Sequence, residues 1–165
     1  MKKKPLGRIR IAEICEGAGI DRTSFYYHFR DKYDLTAWIF FHAAGNINII
    51  DPAEAAENLR QMKKEMLFFR RSLEDPIADP LWKYMLEYFT DNYTRIAMDI
   101  LHCDILSEGL QFAVRQYCYG GVGMCLEWIL RDRDTKVETI ISRLFANMPE
   151  VLKKIYFTDE GRPRL

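Results

Sequence analysis

The side chains with the clearest chemical use lie in residues 21–30, whose sequence is DRTSFYYHFR. On a helix that turns by about 100° per residue, Thr23, Ser24 and Tyr27 share one side, which we call the outward face. Small hydroxyl groups can approach the edges of DNA bases or a thymine methyl group, and tyrosine hydroxyls can bind phosphates. The segment therefore predicts a helix that presents hydrogen-bonding groups to a nucleic acid.

The predicted DNA-binding set extends beyond the outward face. Two aromatic residues flank that face, and Lys32 follows the helix, where its ammonium group can bind a phosphate. The full set is Arg22, Thr23, Ser24, Tyr26, Tyr27, His28 and Lys32. The alternative is that the aromatic side chains simply form a small core. Phe25, Phe29 and Leu35 suffice for such a core, which favours the outward role for the others.

Three predicted helices position these side chains. The first carries apolar residues spaced i, i+3, i+4 and i+7, which are Ile11, Ile14, Cys15 and Ala18. Gly19 ends this helix, as glycine commonly does, and Asp21 can cap a second helix over residues 22–30. A third helix is predicted over residues 31–44. The order of helix, tight turn and short helix is the outline of a DNA-binding helix-turn-helix.

The same stretch resembles the signature of the TetR family of bacterial transcription regulators. The matching residues are Ile14, Ala18, Gly19, Ile20, Phe25, Tyr26, His28, Phe29, Lys32 and Leu35. Asp21 stands where serine is commoner, and Ser24 where threonine is commoner; both changes preserve capping and hydrogen bonding. The resemblance implies that the outward face meets the major groove, and that Tyr26, His28 and Lys32 contact the DNA backbone.

The chain departs from the family pattern at its N-terminus. Family members have a three-helix DNA-binding unit, but only MKKKPLGRIR precedes the first apolar helix here. We therefore expect a truncated unit in which Ile9, Ile11 and Ile14 lack a covering helix. Two explanations stay open: the chain is truncated, or the regulator has a degenerate DNA-binding domain.

The resemblance implies an all-α protein with a helical bundle after the helix-turn-helix. We expect a DNA-binding domain over residues 1–45, an effector-binding and dimerisation domain over 46–157, and a flexible tail over 158–165. Helical spacing predicts helices over residues 52–73, 80–103, 107–131, 135–148 and 150–157. The helix that begins at Pro52 leaves the DNA-binding domain and enters the bundle, so it is the expected coupling element.

The bundle is rich in aromatic residues, and the resemblance implies a small-molecule effector pocket among its helices. Such a pocket is mostly apolar and has a few polar groups that orient the ligand. The candidate lining residues are Met66, Tyr84, Tyr88, Phe89, Phe112, Tyr117 and Trp128. The alternative for each of them is ordinary core, because aromatic residues at helical spacing are most often core.

Glycines inside a predicted helix indicate a second contact surface. Each costs about 1 kcal/mol relative to alanine, and close approach of another helix backbone would offset that cost; a local kink is the alternative. The resemblance implies a homodimer that packs the helices over residues 107–131 and 135–148 as a four-helix bundle. The predicted interface residues are Gly120, Gly121, Met124, Ile141, Leu144 and Phe145.

Composition bounds the remaining possibilities. Residues 1–42 hold eight Lys/Arg against five Asp/Glu, and residues 43–165 hold sixteen against nineteen, which mildly supports a nucleic-acid contact in the N-terminal part. An apolar run long enough for a membrane span and a signal peptide are both missing. The four cysteines lack disulfide or zinc spacing, so we expect reduced thiols in a cytoplasmic protein.

No residue cluster in the sequence predicts catalysis. His102, Cys103 and Asp104 are adjacent, so a helix would direct their side chains apart, and we expect no enzyme activity, no cofactor and no metal. The chain is therefore expected to be a TetR-like regulator that binds operator double-stranded DNA as a homodimer and responds to a small molecule. The alternative is a ligand-sensing or coactivator-type interaction protein that has lost autonomous DNA binding.

Overall fold

The computed structural model describes residues 6–42, 48–64, 70, 79–131 and 134–164. A short 3-10 turn, Leu6–Arg8, opens the chain. Within the described residues it is followed by eight helices: α1 (Ile11–Ala18), α2 (Arg22–His28), α3 (Lys32–His42), α4 (Pro52–Lys64), α5 (Asp79–Leu101), α6 (Glu108–Arg131), α7 (Val137–Ala146) and α8 (Glu150–Tyr156). The predicted all-α class is confirmed.

The turn between α1 and α2 forms at the predicted glycine. Gly19 adopts the left-handed conformation (φ 67°), which L-residues with a Cβ rarely enter. The N–H of Ile20 then donates to the carbonyl of Cys15 at 3.0 Å, which closes α1 in the manner of a Schellman motif. Cys15 is buried beneath the turn. These contacts fix the direction in which α2 leaves α1.

The 3-10 turn is anchored in the core. Leu6 is buried at 3% exposure and belongs to the same core cluster as Tyr33 of α3. Ile9, Ile11 and Ile14, which were expected to lack cover, are half-buried.

Helix α5 is the central element of the bundle. It packs against α3 of the helix-turn-helix and against α6 and α8, whereas α4 packs on α7. Met85 of α5 is buried in one core cluster with Trp128, and Tyr93 of α5 is buried in a second cluster with Tyr156. The same helix therefore contacts both the DNA-binding unit and the core of the bundle.

Several helix ends differ from their predicted positions. α2 ends at His28 rather than near residue 30, because Phe29 takes an extended conformation. α6 begins as predicted after Ser107, whose hydroxyl accepts the N–H of Leu110 at 3.4 Å. The predicted helix over 52–73 is described to Lys64 and at Arg70. The rest of it, like the domain boundary at residue 45, lies outside the described residues.

The segment predicted to be a flexible tail carries ordered backbone contacts over residues 158–164. The N–H of Thr158 donates to the carbonyl of Arg162 at 2.8 Å, and the N–H of Arg164 donates to the carbonyl of Tyr156 at 2.9 Å. Gly161, with φ 76°, makes the reversal between them. The chain folds back on the end of α8 because this turn lets its polar groups pair. Across the described ranges, none of the helices has the length and apolar character that crossing a membrane requires.

Candidate nucleic-acid interface and internal cavity

Helix α2 separates an apolar side from a polar side. Phe25 is buried at 2% exposure, and its ring lies 5.6 Å from the ring of Phe29. Thr23 and Ser24 are exposed, and Tyr27 is 84% exposed. The phenylalanines seat the helix, so the outward face projects into solvent.

The N-terminal cap of α2 engages one residue of the outward face. A carboxylate oxygen of Asp21 accepts the N–H of Ser24 at 2.7 Å, and the other accepts its hydroxyl at 3.1 Å. These hydrogen bonds, with the backbone N–H first, lower the pKa of Asp21. The Ser24 hydroxyl donates to the exposed Asp21 carboxylate, so its lone pairs remain as acceptors.

The flanking residues of the DNA-binding set are also at the surface. Arg22 and His28 are exposed, and Tyr26 is 49% exposed. The rings of Tyr27 and His28 meet edge to face, with centroids 4.9 Å apart. Edge-to-face contact limits the orientations of the Tyr27 ring, while the side chain as a whole stays 84% exposed.

Lys32 has acceptors inside the chain. Its ammonium group donates to the carbonyl of Gly7 at 2.8 Å and to that of Ile9 at 3.0 Å. These two bonds tie the 3-10 turn and the start of α1 to the first residue of α3. Lys32 therefore holds the N-terminal segment in place, a function that sequence reasoning did not assign to it.

A group of polar residues, which we call the polar joint, connects the helix-turn-helix to α5: Arg30, Asp31, Asp34, Tyr84 and Glu87. One oxygen of Asp31 caps α3 by accepting the N–H groups of Tyr33 and Asp34. The other oxygen accepts the hydroxyl of Tyr84 at 3.0 Å. Arg30 lies over the Tyr84 ring at 4.2 Å and reaches Glu87 at 3.3 Å.

The environment of Tyr84 keeps this connection in its hydrogen-bonded form. Burial, followed by the hydrogen bond to the Asp31 carboxylate, raises the pKa of Tyr84 to about 12. The hydroxyl therefore stays protonated and remains a donor throughout the neutral range. No sequence motif could identify this pair, because 53 residues separate its members.

The bundle contains a partly open cavity of about 100 Å³. Its lining comes from the segment before α4 and from α4, α5, α6 and α7: Ile49, Ala55, Asn58, Leu59, Met85, Tyr88, Phe89, Tyr93, Tyr117, Cys118, Gly121, Val122, Cys125, Ile141, Leu144 and Phe145. The lining is overwhelmingly apolar. Such a cavity can bind a small molecule.

The polar groups around the cavity are few and already oriented. The hydroxyl of Tyr93 donates to the carbonyl of Ile49 at 3.1 Å, and that of Tyr117 donates to the carbonyl of Leu144 at 3.3 Å. Burial raises the pKa of Cys118 and that of Cys125 to about 12. These groups are therefore uncharged at neutral pH.

The residues predicted to line an effector pocket occupy several environments. Tyr88, Phe89 and Tyr117 line the cavity. Tyr84 faces the polar joint instead, and Met66 lies outside the described residues.

The other two predicted pocket residues lie away from the cavity. Phe112 is 69% exposed, whereas Trp128 is buried at 2% exposure, where its indole N–H donates to the carbonyl of Thr135 at 3.0 Å. Neither is among the described lining residues.

The residues predicted at a dimer interface also separate into two groups. Gly120 and Met124 are exposed on α6. Residues of a dimer interface must be exposed in this way when the partner chain is absent. The others line the cavity of the same chain, namely Gly121, Ile141, Leu144 and Phe145. The apolar side of α7 faces inward because α4 packs against it.

Comparison with known proteins supports the interpretation of the N-terminal part. Residues 1–37 match the family model described as bacterial regulatory proteins, tetR family. The match covers the 3-10 turn, α1, α2 and the first half of α3, and it confirms the resemblance that the sequence predicts. No curated protein matches the chain at a significant level.

Proposed function

Because its first 37 residues match the tetR family of bacterial regulatory proteins, we propose that this protein regulates transcription by binding operator DNA as a homodimer. A small molecule bound in the cavity modulates that binding. The observation that carries the proposal is the exposed hydroxyl-bearing face of α2, seated by the buried Phe25. Such a helix enters the major groove with its polar side toward the base edges.

The proposed regulation passes through α5. Tyr84 binds the cap of α3 at the polar joint, while Met85 and Tyr88 line the cavity. These residues lie within about one turn of the same helix. A ligand that contacts the cavity side of α5 therefore changes the position of Asp31, and with it the orientation of α2. We assign the coupling to α5 together with α4, which is the helix that the sequence predicts as the coupling element. Helix α4 contributes Ala55, Asn58 and Leu59 to the cavity.

The proposed dimer uses the exposed side of α6. Phe112 and Met124 are 69% and 54% exposed, so two large apolar side chains of one helix are mostly uncovered. A Cβ added at Gly120 or Gly123 would meet no atom within 4 Å, so packing within the chain does not require these glycines. A second copy of α6 packed against this side would cover the apolar groups and bring two DNA-binding units onto successive half-sites.

The test is a binding titration on the DNA upstream of the protein's own gene, at several salt concentrations. Tyr27→Ala should lower the binding free energy for the preferred sequence by about 1–3 kcal/mol and relax the sequence preference. Tyr27→Phe should retain the part of the binding free energy that comes from the ring rather than the hydroxyl. Arg22→Ala should weaken binding to all sequences and reduce the salt slope by about 0.9 for each phosphate that the protein no longer neutralises.

Arg143→Ala is the matched control, because Arg143 is exposed on α7 and far along the chain from α2. It should leave affinity and salt slope unchanged. Sequence-independent binding that none of the α2 variants alters would contradict the proposal. It would favour the interaction-protein alternative.

A further inference from the structure

We propose that the cavity takes an uncharged, predominantly apolar molecule of about the size of one aromatic ring. The identification of this molecule as the effector rests on the proposed function; the chemical class of the ligand does not. Three features of the cavity carry the inference: the charge of its lining, the hydrogen-bonding capacity of its polar groups, and its volume.

The described part of the lining offers no partner for an ion. Among the described residues that line the cavity, none is Asp, Glu, Lys, Arg or His. The two thiols, those of Cys118 and Cys125, stay protonated because burial raises the pKa of each. Transfer of an unpaired carboxylate or ammonium group from water into such a site is strongly unfavourable. The lining therefore selects against both anions and cations.

The polar groups of the lining can satisfy only a small number of hydrogen bonds. The hydroxyl hydrogens of Tyr93 and Tyr117 are engaged with backbone carbonyls, so a ligand can use these two hydroxyls only as acceptors. Asn58 adds an amide, which carries both donors and an acceptor, and Tyr88 adds a hydroxyl. A ligand with one hydroxyl or amide group fits this set, whereas a sugar or nucleoside would leave several buried groups unpaired.

The volume of the cavity matches a guest of a few heavy atoms. An engineered apolar cavity of about 150 Å³ in another protein binds benzene, and the cavity here measures about 100 Å³. Met85 lines it and is the kind of flexible side chain that adjusts to a guest. A single ring or a short branched hydrocarbon fits with such an adjustment.

The experiment compares matched probes of one ring each: toluene and phenol against benzoate and benzylammonium. Thermal unfolding and titration calorimetry on the full chain should show saturable binding of the two neutral probes, with the unfolding temperature rising as occupancy rises. Benzoate and benzylammonium should bind on the order of 100-fold more weakly. Equal or tighter binding of either charged probe would overturn the inference.

Gly121→Leu tests the location. Gly121 lines the cavity, and a Cβ at this position would meet nothing within 4 Å, so a leucine side chain enters the cavity space. Toluene binding should weaken at least tenfold. Gly109→Leu places the same side chain at an exposed glycine near the start of α6 and should bind toluene as the unmodified chain does.

Circular dichroism first establishes whether the Gly121→Leu variant is folded. If it is unfolded, Gly121→Ala replaces it; this smaller side chain should weaken toluene binding to a smaller extent. Unchanged toluene affinity in a folded Gly121→Leu protein would overturn the location. Neutral probes that bind in the cavity but leave DNA affinity unchanged would contradict the effector role in the proposed function and still support the ligand class. If the ligand-free chain binds no operator DNA but still binds the neutral probes, the proposed function alone would be overturned.

Discussion

Cys118 and Cys125 show how burial alone can remove the reactivity of a residue. Both thiols face the cavity, and burial raises the pKa of each to about 12. The thiolate is the reactive form of cysteine, so these side chains act as small apolar groups near neutral pH. Their neutrality is also what keeps the cavity uncharged, which links the chemistry of two residues to the class of ligand that the cavity accepts.

At pH 8, iodoacetamide should modify Cys118 and Cys125 on the order of 1000-fold more slowly in the folded protein than in urea. In urea the thiols have their ordinary pKa near 8.5, so the reactive thiolate is far more populated there than in the folded protein. The rate in the folded protein should increase as pH rises toward 12. Mass spectrometry of the peptide that contains both cysteines measures the modification. Rapid double modification of the folded chain at pH 8 would show that the thiols are not held in an apolar environment.

Helix α5 combines two contacts that the proposed regulation needs. One side of it donates to the cap of α3 through the Tyr84 hydroxyl, and another side lines the cavity. Since a packed helix moves largely as a rigid unit, a displacement of Met85 also displaces Tyr84. The polar joint is therefore the place where a change in the bundle becomes a change at α2.

Tyr84→Phe should lower the free energy of unfolding by about 1–2 kcal/mol, because Asp31 loses one hydrogen bond to its carboxylate. The ring that Arg30 covers is retained. The effect of a cavity ligand on DNA affinity should shrink, while DNA affinity without ligand changes little. Tyr156→Phe is the control, because it also removes a hydroxyl that donates to α5, at the carbonyl of Tyr93 (2.8 Å) and away from the polar joint; it should preserve the ligand response. An undiminished response in Tyr84→Phe would rule out this route.

The same hydrogen bond predicts a pH dependence. The folded-state pKa of Tyr84, about 12, lies above the ordinary value near 10. Its contribution to stability is therefore fully present below pH 10 and is lost as pH rises toward 12. Tyr84→Phe should abolish this part of the alkaline loss of stability.

At the scale of the whole molecule, the exposed apolar side of α6 is the feature that an isolated chain leaves uncovered. Phe112 and Met124 of this helix are mostly exposed, whereas Val114 and Trp128 of the same helix are buried. A helix with large apolar groups on both sides is typical of one that packs against two neighbours. The bundle provides one neighbour, and the proposed second copy provides the other.

Phe112→Glu and Met124→Glu should each raise the dimer dissociation constant about 30-fold or more, since truncation or charging of a central apolar contact commonly costs about 2 kcal/mol. Sedimentation velocity over a concentration series measures the change. Val151→Glu is the matched control, because Val151 is an exposed apolar residue, at 46%, on α8. Dimers that survive both α6 substitutions would place the interface elsewhere.

The sequence by itself determined the helix-turn-helix. The apolar spacing of α1, the glycine at its end and the Asp21 cap all act within about ten residues, so local preferences fix them before any long-range contact forms. The inward direction of Phe25 and the outward direction of Tyr27 follow from helix geometry alone. The match over residues 1–37 falls on this same segment.

Only the tertiary structure decided which helix faces meet. Tyr88 and Phe112 both belong to aromatic stripes at helical spacing, yet Tyr88 lines the cavity and Phe112 is exposed. Lys32 binds Gly7 and Ile9, and Asp31 binds Tyr84, across separations that no local pattern spans. Helical periodicity defines the faces of each helix, but the partner of each face depends on how all the helices pack together, and that packing also creates the cavity.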